Sequence, residues 1–145
     1  ILVILTSKWI LFVCLPILII LLSRMSEAQL QTNIIKYIKF QYPTLLYCAS
    51  LGGQYQRYPS QRNKAKSTGY VKGFPDLGIY EARGGFHGLF IEIKEKGYPT
   101  KEQKEWIINL KKRGYYACVS KGFDSIKKVI DDYLNNNISN EESKW

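Results

Sequence analysis

The sequence predicts an α/β domain, a small sheet flanked by helices, on the strength of three features. Apolar residues recur at helical spacing in three separate stretches, and short apolar runs suited to strands lie between them. Two of those runs, Leu77 to Tyr80 and Gly88 to Lys94, bracket Arg83-Gly84-Gly85 and read as the arms of a β-hairpin. Cap and stop residues mark the helical stretches, which fixes their order along the chain.

Ser26 and Gln29 stand at capping-box spacing, and Leu30, Ile34, Tyr37 and Ile38 follow at helical intervals. This helix ends near Gln41, because Tyr42 precedes Pro43 and the residue before a proline avoids helical backbone angles. Leu45 to Ala49 is a short strand. From Gly52 to Gly73 the periodicity fails, and a short helix fits only between Ser60 and Ser67. After the hairpin, Pro99-Thr100 opens a helix with Gln103 at capping distance from Thr100, and Trp106, Ile107 and Leu110 form its inner face. Gly114 stops it. Tyr115 to Ser120 is the next strand, and Asp124 to Leu134 the last helix, with Ile126, Val129, Ile130, Tyr133 and Leu134 inward. The order is helix, strand, short helix, strand, strand, helix, strand, helix. Residues 135–145 form a polar tail.

A chain of 145 residues fits one domain. Its net charge of +9 is high for that size and points to a polyanion, either nucleic acid or an acidic membrane surface. Cys14, Cys48 and Cys118 make no CxxC pair and are odd in number, so neither a disulfide framework nor a zinc knuckle is indicated. A reduced, intracellular setting is the simplest inference. His87 is the single histidine, which excludes metal clusters built on several histidines.

Residues 1–24 stand apart. Ile1 to Leu22 is almost wholly apolar and long enough to span a bilayer, yet the chain's one methionine is Met25, just before an amphipathic helix. Two readings compete: a membrane anchor, or upstream sequence translated in frame ahead of a start at Met25. The second is favoured. Setting aside Lys8 and Arg24 takes +9 less 2, so residues 25–145 still carry +7. The basic character belongs to residues 25–134.

Much of it lies in the Gly52–Gly73 stretch, where Arg57, Arg62, Lys64, Lys66 and Lys72 alternate with Tyr55, Tyr58 and Tyr70 and no acidic residue occurs. A solvated loop would account for it. The favoured alternative is a phosphate-contacting arm whose tyrosines stack on bases.

The second hairpin strand carries the chemistry. Glu92 lies inside the apolar run 89–93, and Lys94, two places on, shares its face. Burying a carboxylate is costly unless it is paired or holds a metal. Glu-x-Lys recurs at Glu102 and Glu142, but only the copy at Glu92 lies in an apolar strand. A turn centred near Gly84 sets Asp76, at the start of the partner strand, opposite Glu92. Cross-strand neighbours sit about 5 Å apart. A divalent cation relieves the repulsion of two carboxylates that close, and Mg²⁺ favours such oxygen donors. A lysine beside that shell can orient or deprotonate the water that attacks phosphorus.

Gly69-Tyr-Val-Lys-Gly-Phe-Pro-Asp76-Leu, then Phe90-Ile-Glu92-Ile-Lys94, then Gln103 and Gly114-Tyr115, resembles the PD-(D/E)xK nuclease superfamily, and within it the VRR-NUC (virus-type replication-repair nuclease) domain. The resemblance covers about residues 26–134. It implies a restriction-endonuclease-like fold with a small mixed sheet. It also implies Mg²⁺ or Mn²⁺ held by Asp76, Glu92 and the Ile93 backbone carbonyl, with Lys94 on the nucleophilic water and Gln103 completing the site. Glu27 matches an acidic residue often found in the family's first helix, although the helix dipole also favours an acid there. The resemblance further implies a DNA endonuclease acting on branched or junction DNA in replication, repair or recombination, viral in type and with a homodimer as the cutting form. The rival from another class is a nucleic-acid-binding module that no longer cuts. A third is a membrane-anchored protein whose basic loop meets anionic lipid.

Other signals are set aside. Gly78-Ile79-Tyr80 matches half of a GIY-YIG motif, and no Tyr-Ile-Gly follows. His87 reads as a solvated residue at the hairpin tip, and Arg83, near the turn, either touches DNA or is simply exposed.

Overall fold

The computed structural model describes residues 25–50 and 58–138. The apolar segment 1–24, residues 51–57 with Tyr55 and Arg57, and residues 139–145 of the tail lie outside the described residues. Within them the elements are α1 (Glu27–Gln41), β1 (Tyr47–Ala49), α2 (Pro59–Ser67), β2 (Leu77–Ile79), β3 (Leu89–Lys94), α3 (Lys101–Lys111), β4 (Tyr116–Lys121) and α4 (Phe123–Leu134). Among the described residues no helix is long and apolar enough to cross a membrane.

Local chemistry explains the boundaries. The Ser26 hydroxyl accepts from the Gln29 N–H at 3.2 Å and starts α1. At α3 the box is complete: Thr100 Oγ1 accepts from the Gln103 N–H, and Gln103 Oε1 accepts from the Thr100 N–H. The four strands run in the order β1-β2-β3-β4. The first two pairs are antiparallel, and β3 and β4 are parallel. A parallel pair needs a crossover connection, and α3 supplies it.

The period of two along each strand divides the sheet into two apolar faces. On one, Leu77, Ile79, Leu89, Ile91 and Ile93 meet Leu30, Ile34 and Ile38 of α1 and Ile126, Ile130 and Tyr133 of α4. Each fully buried Leu or Ile there contributes about 1.5–3 kcal/mol relative to exposure. On the other, Phe90 and Ala117 meet Ile107 and Leu110 of α3. Glu92 and Lys94 alternate with the first set and therefore share the α3 face with Phe90. The result is a small mixed four-stranded sheet with helices on both sides, the restriction-endonuclease-like α/β architecture.

Three details add to the sequence reading. Trp106 stands at the rim of the α3 face, half-buried, with its indole N–H donating to the Lys72 carbonyl at 3.2 Å. His87 is exposed, as the sequence reading has it, one residue past the tip Arg83–Phe86, with its ring edge-on to Tyr115 and its backbone N–H donating to the Gly114 carbonyl. The start of the tail is tied down, since Asn136 Oδ1 accepts from the Gly84 N–H at 2.9 Å and Ile138 packs on the core.

Candidate active site

The hairpin register decides which side chains meet. Leu77 pairs with Ile91, Gly78 with Phe90 and Ile79 with Leu89, so one further step sets Asp76 across from Glu92. The approach to Asp76 depends on Gly73, which has φ +87°. A Cβ there would lie 2.8 Å from the backbone carbon of Glu102, so only glycine lets the chain run against the first turn of α3. That close passage holds the segment leading into Pro75-Asp76 against α3.

Asp76 is anchored twice. Its Oδ2 accepts from the Ile93 N–H at 3.0 Å, and its backbone carbonyl accepts from the Ser50 N–H at 2.7 Å. The Gln31 amide reaches the Asp76 carbonyl at 3.4 Å and the Ser50 carbonyl at 3.3 Å. Gln31 thus ties α1 to the strand that bears Asp76. Sequence reasoning missed it; the available signal was its place one turn after Glu27, on the same helix face.

Glu92 is 1% exposed in the middle of the α3 face. Its Oε1 accepts from Lys94 Nζ at 2.9 Å and from the Gln103 side-chain amide. Its Oε2 is buried and has no hydrogen-bond partner in the protein. Buried polar atoms are rarely left so, because each costs about 1–3 kcal/mol. Gln103 therefore spans two jobs with one amide, its oxygen closing the cap of α3 and its nitrogen holding Glu92. Lys94 is 12% exposed, and Glu27 Oε1 lies 3.7 Å from its ammonium. Asp76, Glu92, Lys94, Gln103 and Glu27 thus converge from β2, β3, α3 and α1.

Burial pushes the Glu92 carboxyl up to about 7; Lys94 opposes this, and the charge of Asp76 adds to it. Asp76 is also raised, by burial first, against the opposing pull of the Ile93 N–H and Lys94. Burial alone would lower the Lys94 ammonium, but Glu92, Glu27 and Asp76 outweigh it and the net shift is upward. The site is a pair of carboxyls that resist joint ionisation, beside a lysine that stays charged. Among the described residues no three His, Cys, Asp or Glu side chains gather as a closed metal cage. Two carboxylates and an orphaned buried oxygen fit a hard cation that keeps several waters, as Mg²⁺ does.

The basic residues expected to meet DNA lie on α2 and in the loops. Tyr58 caps α2 and is 63% exposed, and α2 carries Arg62, Lys64 and Lys66 with no buried residue. Lys72 is held by Glu102, at 2.7 Å. Arg83 pairs with Glu81 at 2.8 Å.

No family model and no curated protein matches the chain. Among solved structures it is similar to one described as a VRR_NUC domain protein, with a TM-score of 0.64 and 35% sequence identity. The match covers 83% of this chain and 98% of that one.

Proposed function

The chain belongs to the VRR-NUC family of nuclease domains, and on that premise we propose that it is a Mg²⁺- or Mn²⁺-dependent DNA endonuclease of the PD-(D/E)xK type. The observation that carries this reading is the Glu92 carboxylate. It is buried on a sheet face with one oxygen unpartnered, yet it lies beside Asp76 and Lys94. A merely structural glutamate would not be left in that state.

Asp76, Glu92 and the Ile93 carbonyl would hold the cation. When bound, it would neutralise the carboxylate pair and offset charge developing on the phosphate oxygens. Without the cation, the acids around Lys94 shift its ammonium upward and favour the charged form. Lys94 would orient or deprotonate the attacking water. The water oxygen joins phosphorus as its proton passes to solvent, the bond to the leaving sugar oxygen breaks, and that oxygen takes up a proton from solvent. Gln103 fixes the Glu92 side chain, and Glu27 steadies Lys94 from α1. Arg62, Lys64, Lys66 and Tyr58 on α2, with Arg57 before it, would bind the DNA backbone. The substrate class we favour is branched or junction DNA, cut by a homodimer during replication, repair or recombination.

The test is cleavage by the full chain of flap, junction and linear DNA, with and without Mg²⁺. Metal-dependent products are expected from the parent and none from Asp76→Ala or Lys94→Ala. Products that persist in either variant refute the mechanism.

A further inference from the structure

We propose that the groove lined by Tyr98, Pro99, Lys104, Val119, Lys121 and Ser125 is a subsite for one unpaired nucleotide of the DNA strand. The base would stack on Tyr98 and the backbone phosphate would lie between Lys104 and Lys121. Its setting rests on the nuclease reading, but its evidence is separate.

The first observation is position. In the parallel β3–β4 pair, Glu92 lies opposite Val119 and Lys94 opposite Lys121. Val119 packs on the α3 face with Phe90, so Lys121, two residues on, points to that same face. The groove therefore begins one strand spacing, about 4.8 Å, from the carboxylate cluster. Its other wall includes Lys104, the residue after Gln103. A strand with its scissile phosphate at Glu92 and Lys94 has this groove as its next stop.

The second is chemistry. The cavity is about 630 Å³, large enough for one nucleotide, and its lining holds two lysines, two serine hydroxyls and no carboxylate. The larger cavity between α2 and α3, about 780 Å³, is lined by Glu102 and Glu105 as well as cations, and there Lys72 is already held by Glu102. It suits an anion less well. In the smaller groove, Ser120 is 5% exposed and its hydroxyl meets that of Ser125 at 3.0 Å, giving a polar wall.

The third is Tyr98 itself. It is 85% exposed. Lys121 Nζ lies 4.4 Å from its ring centre, so one face holds a cation. That contact keeps the ring at the mouth of the groove while the other face stays open. A ring fixed in this way beside paired lysines is what single-strand binders use to stack a base.

The experiment measures DNA binding by the full chain in EDTA, where nothing is cut, using fluorescent duplexes with and without a single-stranded overhang. Tyr98→Ala should weaken binding of the overhang substrate about 5- to 100-fold, the range for losing one base–aromatic stack, and leave the blunt duplex unchanged. Tyr98→Phe should retain the affinity, and Lys121→Ala should lower the salt dependence by about one phosphate contact. Equal effects of Tyr98→Ala on both substrates, or no effect on either, overturn the subsite. A parent chain that prefers overhangs through Tyr98 yet never cuts would leave the subsite standing and remove the nuclease reading. A parent that cuts, with Tyr98→Ala indistinguishable from it, does the reverse.

Discussion

Glu92→Gln should stabilise the metal-free protein at neutral pH, and the gain can be sized from the structure. Glutamine keeps the shape of the side chain and an oxygen able to accept from Lys94 and Gln103. It removes a buried charge whose second oxygen has no partner. Glu92 moves from its ordinary 4.5 to about 7, chiefly because it is buried. Between those values the folded chain holds a proton that the unfolded chain has released, so stability falls as pH rises through that window. At 1.36 kcal/mol per unit, the fold above pH 7 is weaker by about 3 kcal/mol for carrying this carboxylate. For a domain of this size that is roughly 10 °C in Tm. Calorimetry in EDTA from pH 4.5 to 8 measures it. Parent and variant should melt together at the acid end and separate progressively toward pH 8, with the variant higher. Asp131 and Glu102 do not confuse the window, because both are shifted downward. Mg²⁺ should close the gap by raising the parent alone, most strongly at high pH. A gap that does not widen with pH, or a Mg²⁺ effect equal in both proteins, would refute the reasoning.

Other outcomes follow from neighbouring features. Asp131 accepts from the Tyr37 hydroxyl at 2.5 Å, the Tyr42 hydroxyl at 2.7 Å and Lys127 at 2.8 Å, linking α1 to α4. Burial would raise its carboxyl, but these partners outweigh it and hold it low. Its contribution is therefore complete above its ordinary 3.8 and lost as pH falls below that. Asp131→Asn should cost about 1–3 kcal/mol in urea unfolding at pH 7, and less at pH 3. Gly73→Ala should cost about 2 kcal/mol or more, from left-handed backbone strain and the collision with α3, and should lower cleavage about 100-fold by displacing Asp76. Replacing Arg62, Lys64 and Lys66 together by alanine should reduce the salt slope of DNA binding by up to about three. Lys72→Ala alone should change it less, because Glu102 already engages that ammonium.

The site geometry was legible in the sequence wherever local rules fix geometry. Centring the hairpin near Gly84 is arithmetic on strand pairing, and it set Asp76 opposite Glu92 as the observed register does. The Thr100–Gln103 spacing located the start of α3 in the same way. The Tyr42-Pro43 stop gave α1 its boundary at Gln41, and the shared face of Glu92 and Lys94 followed from strand alternation alone. What stayed hidden depends on contacts between distant segments. Nothing local pairs Gln31 with Ser50 and Asp76, Lys72 with Glu102, or Asp131 with Tyr37 and Tyr42. The ring contact of His87 with Tyr115 was hidden in the same way, because Tyr115 lies beyond α3. The acid-free stretch announced its charge, but not that α2 would bury nothing.

The account rests on Asp76 and Glu92 forming one cation site. Titration of the full chain with Mn²⁺ at pH 8, following the loss of the free-ion electron paramagnetic resonance signal, reads that directly and needs no DNA. The parent should take up Mn²⁺ saturably, Asp76→Asn and Glu92→Gln should each lose most of that uptake, and Lys94→Met should retain it. Equal uptake by the parent and both carboxylate variants would contradict the account.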